Sequence, residues 1–264
     1  MTMSPAHPDG QLAVRRRFAG RLRGQGVEIG PGHAPFPVPS GVSVRYLDRW
    51  EPVENSALFP ELGDQPGFPR PDIVANLDVD RLSALRDASQ DFVIASHILE
   101  HLANPLAMLV DVHRVLKPGG LLVLILPDRR VTFDSERSPT SLEHLADEYR
   151  RDVREVSDEH VIEAIVAQVR FNGDIRDPTV LAAERTESEI DLHRRRSIHA
   201  HVWDMEEFNE VLGFSEHELG LSWKVLDTMP AGDPGSYGNE FGWLLARERR
   251  GAGRFGRRRR GSFG

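Results

Sequence analysis

Apolar residues in this chain gather into short, nearly continuous runs, which polar turns and longer amphipathic segments separate. The clearest runs are residues 91–96 (DFVIAS) and 121–126 (LLVLIL). Such runs are typical of parallel strands that helices cover on both faces. Residues 105–116 between them have helical spacing, and the Lys-Pro-Gly-Gly sequence at 117–120 predicts the end of that helix and a return to the sheet.

The same alternation continues on both sides of this unit. Further strands are predicted at residues 27–29, 46–48, 72–75, 223–226 and 241–246. Helices are predicted at residues 11–23, 79–86, 141–151, 158–169 and 204–212. The pattern therefore predicts an α/β fold with helices on both faces of one sheet.

A glycine-containing loop follows the first predicted strand. In the sequence Val-Glu-Ile-Gly-Pro-Gly at 27–32, Gly30 and Gly32 leave room for a ligand against the backbone, and Glu28 places a carboxylate beside it. Asp48 ends the next strand, about 20 residues after the first strand, where an acid commonly holds a ribose. This spacing predicts a nucleoside cofactor.

Five ordered segments carry a family resemblance: Glu28-x-Gly30-x-Gly32, Tyr-Leu-Asp at 46–48, residues 91–94, Leu-Glu-His-Leu at 99–102 and Leu-Lys-Pro-Gly-Gly at 116–120. Over residues 25–128 the chain resembles the class I S-adenosylmethionine-dependent methyltransferases. The resemblance implies a Rossmann-like fold with a seven-stranded sheet, a helical insertion after strand 5, and S-adenosylmethionine as the methyl donor.

The chain also departs from the family pattern. Ala34 stands at the third glycine position, and the prolines at 35, 37 and 39 disfavour the customary helix after the loop. The Glu-Ile-Gly-Pro loop with this continuation looks like a bacterial subset of the family that is associated with polysaccharide and glycoconjugate synthesis.

The resemblance assigns cofactor-binding roles to residues at the strand ends. Asp48 is expected to accept hydrogen bonds from the ribose hydroxyls, and Asn76 and Asp78 to contact the adenine. Asp78 has the alternative role of capping the predicted helix at 79–86. Glu28 is expected to support the loop or to meet the methionine part of the donor. Ser96 and His97 are expected to face the methionine part as well.

Residues 128–203 form the predicted insertion, which leaves the fifth strand where the ligand crevice of an open α/β sheet opens. We expect it to cover the acceptor. His144 lies at a predicted helix start and is the expected general base, because a neutral imidazole accepts a proton near physiological pH. A solvated surface histidine is the alternative interpretation.

The insertion also contains a possible set of metal ligands. His199 and His201 would point the same way on an extended segment, and with Asp128 they would hold a divalent cation such as Mg²⁺ that polarises the acceptor hydroxyl. Hydrogen-bonded structure or direct substrate contact are the alternatives. Imidazole favours zinc and carboxylate oxygen favours magnesium, so the metal's identity stays open.

Composition narrows the function classes. The 264 residues include no cysteine, which excludes a thiolate mechanism, and the formal net charge is −8. Without a long apolar segment or an export signal, a cytoplasmic location is expected. The predicted organisation is an N-terminal segment (1–24), a methyltransferase domain (25–246) and a tail (247–264); the tail's eight arginines are expected to be solvated rather than to bind nucleic acid.

We therefore expect an O-methyltransferase that acts on a hydroxyl of a sugar or polysaccharide precursor, such as a mannose- or glucose-based oligosaccharide. Polar and charged residues dominate the insertion, which suits a hydroxyl-rich acceptor. The arginine bias suggests an actinobacterial origin. The alternatives are a natural-product or small-metabolite O- or N-methyltransferase and a non-catalytic cofactor-binding regulator; self-association stays open.

Overall fold

One seven-stranded sheet forms the centre of the computed structural model, which describes residues 12–62 and 67–248. The strand order is β3-β2-β1-β4-β5-β7-β6, and only β7 runs antiparallel to its neighbours. The strands are β1 (Gln25–Ile29), β2 (Ser43–Asp48), β3 (Ile73–Val74), β4 (Gln90–Ser96), β5 (Leu116–Pro127), β6 (Trp223–Met229) and β7 (Glu240–Arg247). This architecture confirms the predicted Rossmann-like methyltransferase sheet.

Eight α-helices surround the sheet in the described part of the chain. They are α1 (Ala13–Ala19), α2 (Pro52–Leu58), α3 (Pro105–Val115), α4 (Leu142–Arg151), α5 (Asp158–Phe171), α6 (Pro178–Ala183), α7 (Glu187–Arg195) and α8 (Met205–His217). Alternate residues of the central strands point to opposite faces, so β4 contributes Val93 to one apolar core and Phe92 to the other. Burial of both faces explains why these strands read as continuous apolar runs.

The glycine loop begins directly at the end of β1. Gly30 has a φ of +55°, and its amide donates to the Leu47 carbonyl of β2 at 2.8 Å. A Cβ atom on Gly30 would lie 2.4 Å from the Ile98 side chain, so no larger residue fits without a shift. Residues 30–42 form no helix before β2, as the prolines predict.

The helix predicted at residues 79–86 is wrong. Residues 77–84 form consecutive turns, within which Arg81 has a φ of +51° that a right-handed helix does not permit. Asp80 supports the turns, since its Oδ2 accepts the amide of Asn76 at 2.9 Å. Asp78 therefore does not cap a helix at this place.

The insertion after β5 contains α4 to α7 and has a small apolar core. Val161 and Ile165 of α5 pack there with Val156 and Ala200. Ser141 and Ser157 cap α4 and α5 by accepting backbone amides.

No helix among residues 12–62 and 67–248 is long and apolar enough to cross a membrane. The solvated tail predicted at 247–264 lies outside the described residues from position 249 onward.

Candidate active site

Three adjoining clefts open at the carboxyl ends of the parallel strands. The central cleft is bounded by Gly30, Asp48, Asn76, Asp78 and the insertion residues Val156, Arg194, Ser197 and Ile198. The glycine-loop cleft lies between α1, the loop and the end of β4, and shares Gly30 with the central cleft. The histidine cleft shares His101, Ser197 and Ile198 with the central cleft and extends beneath the insertion. The insertion thus forms walls of both the central and the histidine clefts.

The polar residues of the central cleft come from two neighbouring strand ends. Asp48 is the last residue of β2, and its Oδ1 accepts the backbone amides of Arg49 and Trp50 at 2.6 and 3.3 Å. Burial raises the pKa of Asp48 despite these bonds. Asp78 accepts the amide of Ala103 at 2.8 Å, and the structure places Asn76 beside it. Asp48, Asn76 and Asp78 therefore meet in one cleft, as the strand order requires.

Glu28 lies beneath the glycine-loop cleft and is 3% exposed. Its Oε1 accepts the Phe36 amide at 2.8 Å, whereas its buried Oε2 has no hydrogen-bond partner among the described residues. Burial raises the pKa of Glu28 to about 7. The carboxylate thus both holds the proline-rich segment and leaves one oxygen for a cationic group in the cleft.

A charge network surrounds His97 at the end of β4. The His97 backbone has a φ of +56°, and its Nε2 lies 2.9 Å from Glu240 Oε2 while its Nδ1 lies 3.4 Å from Glu100 Oε1. Arg15 of α1 donates to the same Glu240 oxygen at 2.6 Å and to the Ser96 hydroxyl at 2.9 Å. Burial opposes the charged form of His97, but the two carboxylates outweigh it and raise its pKa to about 9.

Replacing His97 with glutamine is expected to flatten the pH dependence of the unfolding free energy between pH 6.5 and 9. The folded-state pKa of about 9 exceeds the ordinary value of 6.5, so the protonated imidazole stabilises the fold fully below pH 6.5 and not at all above pH 9. Denaturant titrations across this range measure the slope. The exposed His217→Gln is the control, and an unchanged slope in His97→Gln would contradict the assignment.

The histidine cleft contains a histidine held by a buried carboxylate. His199 Nδ1 lies 2.6 Å from Asp134 Oδ2, and Asp134 is 1% exposed. Arg137 donates to the other oxygen of Asp134 at 2.9 Å. The ring of His199 stacks on Phe133 with a centroid separation of 4.7 Å and lies 5.2 Å from that of His101. This pair resembles the arrangement in which a carboxylate orients an imidazole for proton transfer.

Glu100 joins the two halves of the site. It is fully buried, and its Oε1 lies 3.4 Å from His97 Nδ1 and 3.6 Å from His101 Nε2. Burial by itself would raise the pKa of Glu100. The imidazoles of His101 and His97 outweigh burial, so the pKa of Glu100 lies below its ordinary value. Ligand atoms of Glu100, His101 and His199 all lie within 4.8 Å of one another. The Leu-Glu-His-Leu segment at 99–102 therefore supplies charge to both neighbouring clefts.

The predicted metal ligands Asp128, His199 and His201 do not come together in the described structure. Asp128 binds Arg130 at 2.7 Å, and His199 binds Asp134. His201 instead faces His144, His160 and Glu148. Residues 197–202 form no strand, so the alternation that underlay the prediction does not apply to them. The prediction that Asp128, His199 and His201 form one metal site is therefore wrong.

The expected general base, His144, also lies elsewhere than predicted. Its Nε2 is 3.0 Å from His160 Nε2 and 3.1 Å from Glu148 Oε1, and it lines none of the three clefts. His144 does lie in the first turn of α4, as expected, but this turn faces another part of the insertion. The geometry favours His199 for proton transfer in its place.

Four charged residues of the site were missed from the sequence: Arg15, Glu100, Asp134 and Glu240. Arg15 and Glu240 are 225 positions apart and meet because α1 packs beside β7, which no local pattern indicates. Asp134 lies in a loop, where its only signal was a carboxylate shortly after β5. Glu100 was the most accessible to prediction, since it stands inside a quoted motif.

Comparison with known proteins bears on the sheet and the strand ends. Residues 44–124 match the family model described as "Methyltransferase domain". This span includes Asp48, Asn76, Asp78 and the His97–Glu100 turn. Residues 44–124 are thus similar to a methyltransferase domain, a family whose methyl donor is S-adenosylmethionine. No curated protein matches the chain.

Solved structures resemble the chain at low sequence identity. A proposed zinc-dependent alcohol dehydrogenase from Rhodobacter sphaeroides shares 14% identity over 89% of both chains, with a TM-score of 0.52. A possible histamine N-methyltransferase from Thermotoga maritima shares 16% identity over 90% of this chain and 89% of its own, with a TM-score of 0.42. An S-adenosylmethionine-dependent methyltransferase from Aquifex aeolicus shares 14% over 92% and 94%, with a TM-score of 0.41. At 14% identity and a TM-score of 0.52, the likeness to the Rhodobacter protein shows a similar fold and nothing about function.

Proposed function

We propose that this protein transfers a methyl group from S-adenosylmethionine to a hydroxyl oxygen of a sugar or saccharide precursor. The single observation that carries the proposal is the His199–Asp134 pair, which faces a cleft adjoining the central cleft. A methyltransferase needs a donor site and an acceptor site that meet at one point, and the two clefts share His101, Ser197 and Ile198.

The described residues fit the donor. Both backbone amides that bind Asp48 donate to its Oδ1, and the carboxylate lines the central cleft, where it is suited to ribose hydroxyls. Asn76 and Asp78 would contact the adenine from the next strand end. In the glycine-loop cleft, Arg15 matches a carboxylate, and the unpartnered Oε2 of Glu28 matches an ammonium group.

Proton removal falls to His199 in this proposal. Its Nδ1–H donates to Asp134, which leaves Nε2 as the acceptor in the neutral ring. When bound, the donor supplies a methyl group already activated by a sulfonium sulfur. His199 would take the proton of the acceptor hydroxyl, while Asp134 keeps the ring oriented and stabilises the imidazolium. Arg137 holds Asp134 in place by a second hydrogen bond.

The lining of the histidine cleft supports a hydroxyl-rich acceptor. Phe59 and Phe133 provide flat apolar faces, and Gln168 and Arg196 provide hydrogen-bonding groups. A pyranose ring has both apolar C–H faces and a rim of hydroxyls, so it can use both kinds of group. An acceptor that is flat and wholly apolar would leave the polar groups without partners.

Transfer of labelled methyl groups tests the proposal. We expect the protein to methylate members of a panel of mannose- and glucose-based saccharides, with label recovered as an alkali-stable methyl ether. Amines and phenols form the comparison arm. Exclusive transfer to nitrogen would contradict the acceptor class, and donor binding without any transfer across the panel would favour a cofactor-binding regulator.

A further inference from the structure

Four potential metal ligands converge within the insertion, away from the clefts described above. α4 contributes His144 and Glu148, whose spacing of four residues places them on one face of the helix. α5 contributes His160 from its first turn, and the segment before α8 contributes His201. None of the four lines the central, glycine-loop or histidine cleft, so the proposed methyl transfer leaves them unexplained.

The distances between their ligand atoms match those around a small tetrahedral ion. His144 Nε2 lies 3.0 Å from His160 Nε2 and 3.1 Å from Glu148 Oε1. His201 Nε2 lies 3.4 Å from Glu148 Oε2, and all four residues offer ligand atoms within 4.8 Å of one another. Tetrahedral zinc with ligands at 2.0–2.1 Å separates neighbouring ligand atoms by about 3.3 Å.

Burial argues that this cluster needs a further partner. His201 is completely buried, and its Nε2 makes no hydrogen bond among the described residues. Glu148 is 5% exposed, and its Oε2 likewise has no hydrogen-bond partner there. Unpaired buried polar atoms are costly, and these two lie only 3.4 Å apart. A cation between them would accept both lone pairs.

We propose that His144, Glu148, His160 and His201 bind one zinc-type divalent cation. Three imidazoles and one carboxylate suit zinc better than magnesium, which prefers oxygen ligands and retains water. With four protein ligands, the ion has a closed coordination sphere of the structural kind. The His144 side chain is 44% exposed, which leaves a path by which the ion enters.

The ion joins three separate parts of the insertion. It ties α4 to α5 and ties both to the segment 197–203. Ala164 and Gln168, further along α5, line the histidine cleft, and so does His199, two residues before His201. The ion therefore fixes two walls of that cleft without touching it.

Metal content and spectroscopy of the full chain test the site. The protein is stripped with a chelator, returned to metal-free buffer and titrated with Zn²⁺ or Co²⁺. We expect one ion per chain by elemental analysis, an intense visible spectrum of tetrahedral Co²⁺, and a rise in melting temperature of about 5 °C or more at saturating metal. These measurements on the unaltered chain require no variant.

Substitutions locate the ion. His144→Gln is the primary variant because the His144 side chain is partly exposed and its replacement disturbs little packing, and Glu148→Gln is the second. Each should weaken binding by more than the about 10–100-fold loss that changing an outer partner of a metal site causes. Glu143→Gln, exposed on the same helix, and the exposed His217→Gln are matched controls that should bind as the unaltered chain does.

Three results would overturn the proposal. The first is absence of bound metal above the level of a non-specific surface site, and the second is a weak octahedral Co²⁺ spectrum. The third is stoichiometric binding that both ligand variants retain, which would move the ion to Glu100, His101 and His199. The first two results leave the methyl-transfer proposal untouched, because the donor and acceptor assays are separate. The third also bears on that proposal, because an ion on His199 would occupy the nitrogen assigned to proton removal.

Discussion

Replacing His199 with asparagine lowers the turnover of methyl transfer by about 10²–10⁴-fold, the range expected when a general base is lost. The donor affinity should stay nearly unchanged, since His199 lines the histidine cleft and not the central cleft. Initial rates with labelled donor and the best saccharide acceptor measure turnover, and calorimetry measures donor binding. The loss should appear mainly in kcat.

His193→Asn is the matched control for this experiment. His193 lines the same cleft, but the structure gives it no bond to a buried carboxylate like that between His199 and Asp134. Asp134→Asn adds a positioning test, because it should shift the acid limb of the pH–rate profile as well as lowering kcat. Near-normal kcat in His199→Asn would assign the proton to another group or to water. A collapse of donor binding would make the role of His199 structural.

Replacing Asp48 with asparagine weakens donor binding by about 10- to 150-fold, which corresponds to the about 1.5–3 kcal/mol of a hydrogen bond to a charged group. The carboxylate lies in the central cleft, and the amide side chain keeps an oxygen for the Arg49 and Trp50 amides. The turn should therefore survive. Calorimetric titration with S-adenosylmethionine or its demethylated product measures the effect.

Asp72→Asn is the control for Asp48→Asn. Asp72 directly precedes β3, the strand that pairs with β2, accepts the Tyr46 amide at 2.8 Å and lines none of the three clefts. The Asp72→Asn protein should bind the donor with the same affinity as the unaltered chain. Unchanged affinity in a well-folded Asp48→Asn protein would remove Asp48 from the donor site, whereas equal losses in both variants would indicate a general effect on the sheet edge.

The sheet and the strand-end residues were predictable because their signals are local. A parallel strand buried on both faces is apolar along its centre, as residues 92–95 of β4 and 121–126 of β5 are, and polar residues collect beyond its carboxyl end. That rule alone brings Asp48, Asn76 and Asp78 to one cleft. The helix at 79–86 was predicted from the same kind of pattern, but Arg81 has a left-handed backbone conformation, which a right-handed helix does not contain.

The insertion was less predictable because its chemistry depends on packing between segments. His144 and His201 are 57 positions apart, and nothing in their spacing says that α4 and the segment before α8 meet. The His-x-x-x-Glu spacing of His144 and Glu148 was a usable signal for ligands on one helical face. His199 was selected from the sequence as a metal ligand, and its bond to Asp134 suggests a different role.

The position of β7 sets an order on the assembly of this protein during synthesis. β7 is the last of the strands in the described residues, yet it inserts between β5 and β6 and brings Glu240 to the charges of Arg15 and His97. A nascent chain that has emerged only as far as β6 would leave those two cations facing each other without their shared carboxylate. The charge network beside the glycine-loop cleft is therefore completed only when β7 leaves the ribosome, and a chain stalled before residue 240 lacks the carboxylate that Arg15 and His97 share.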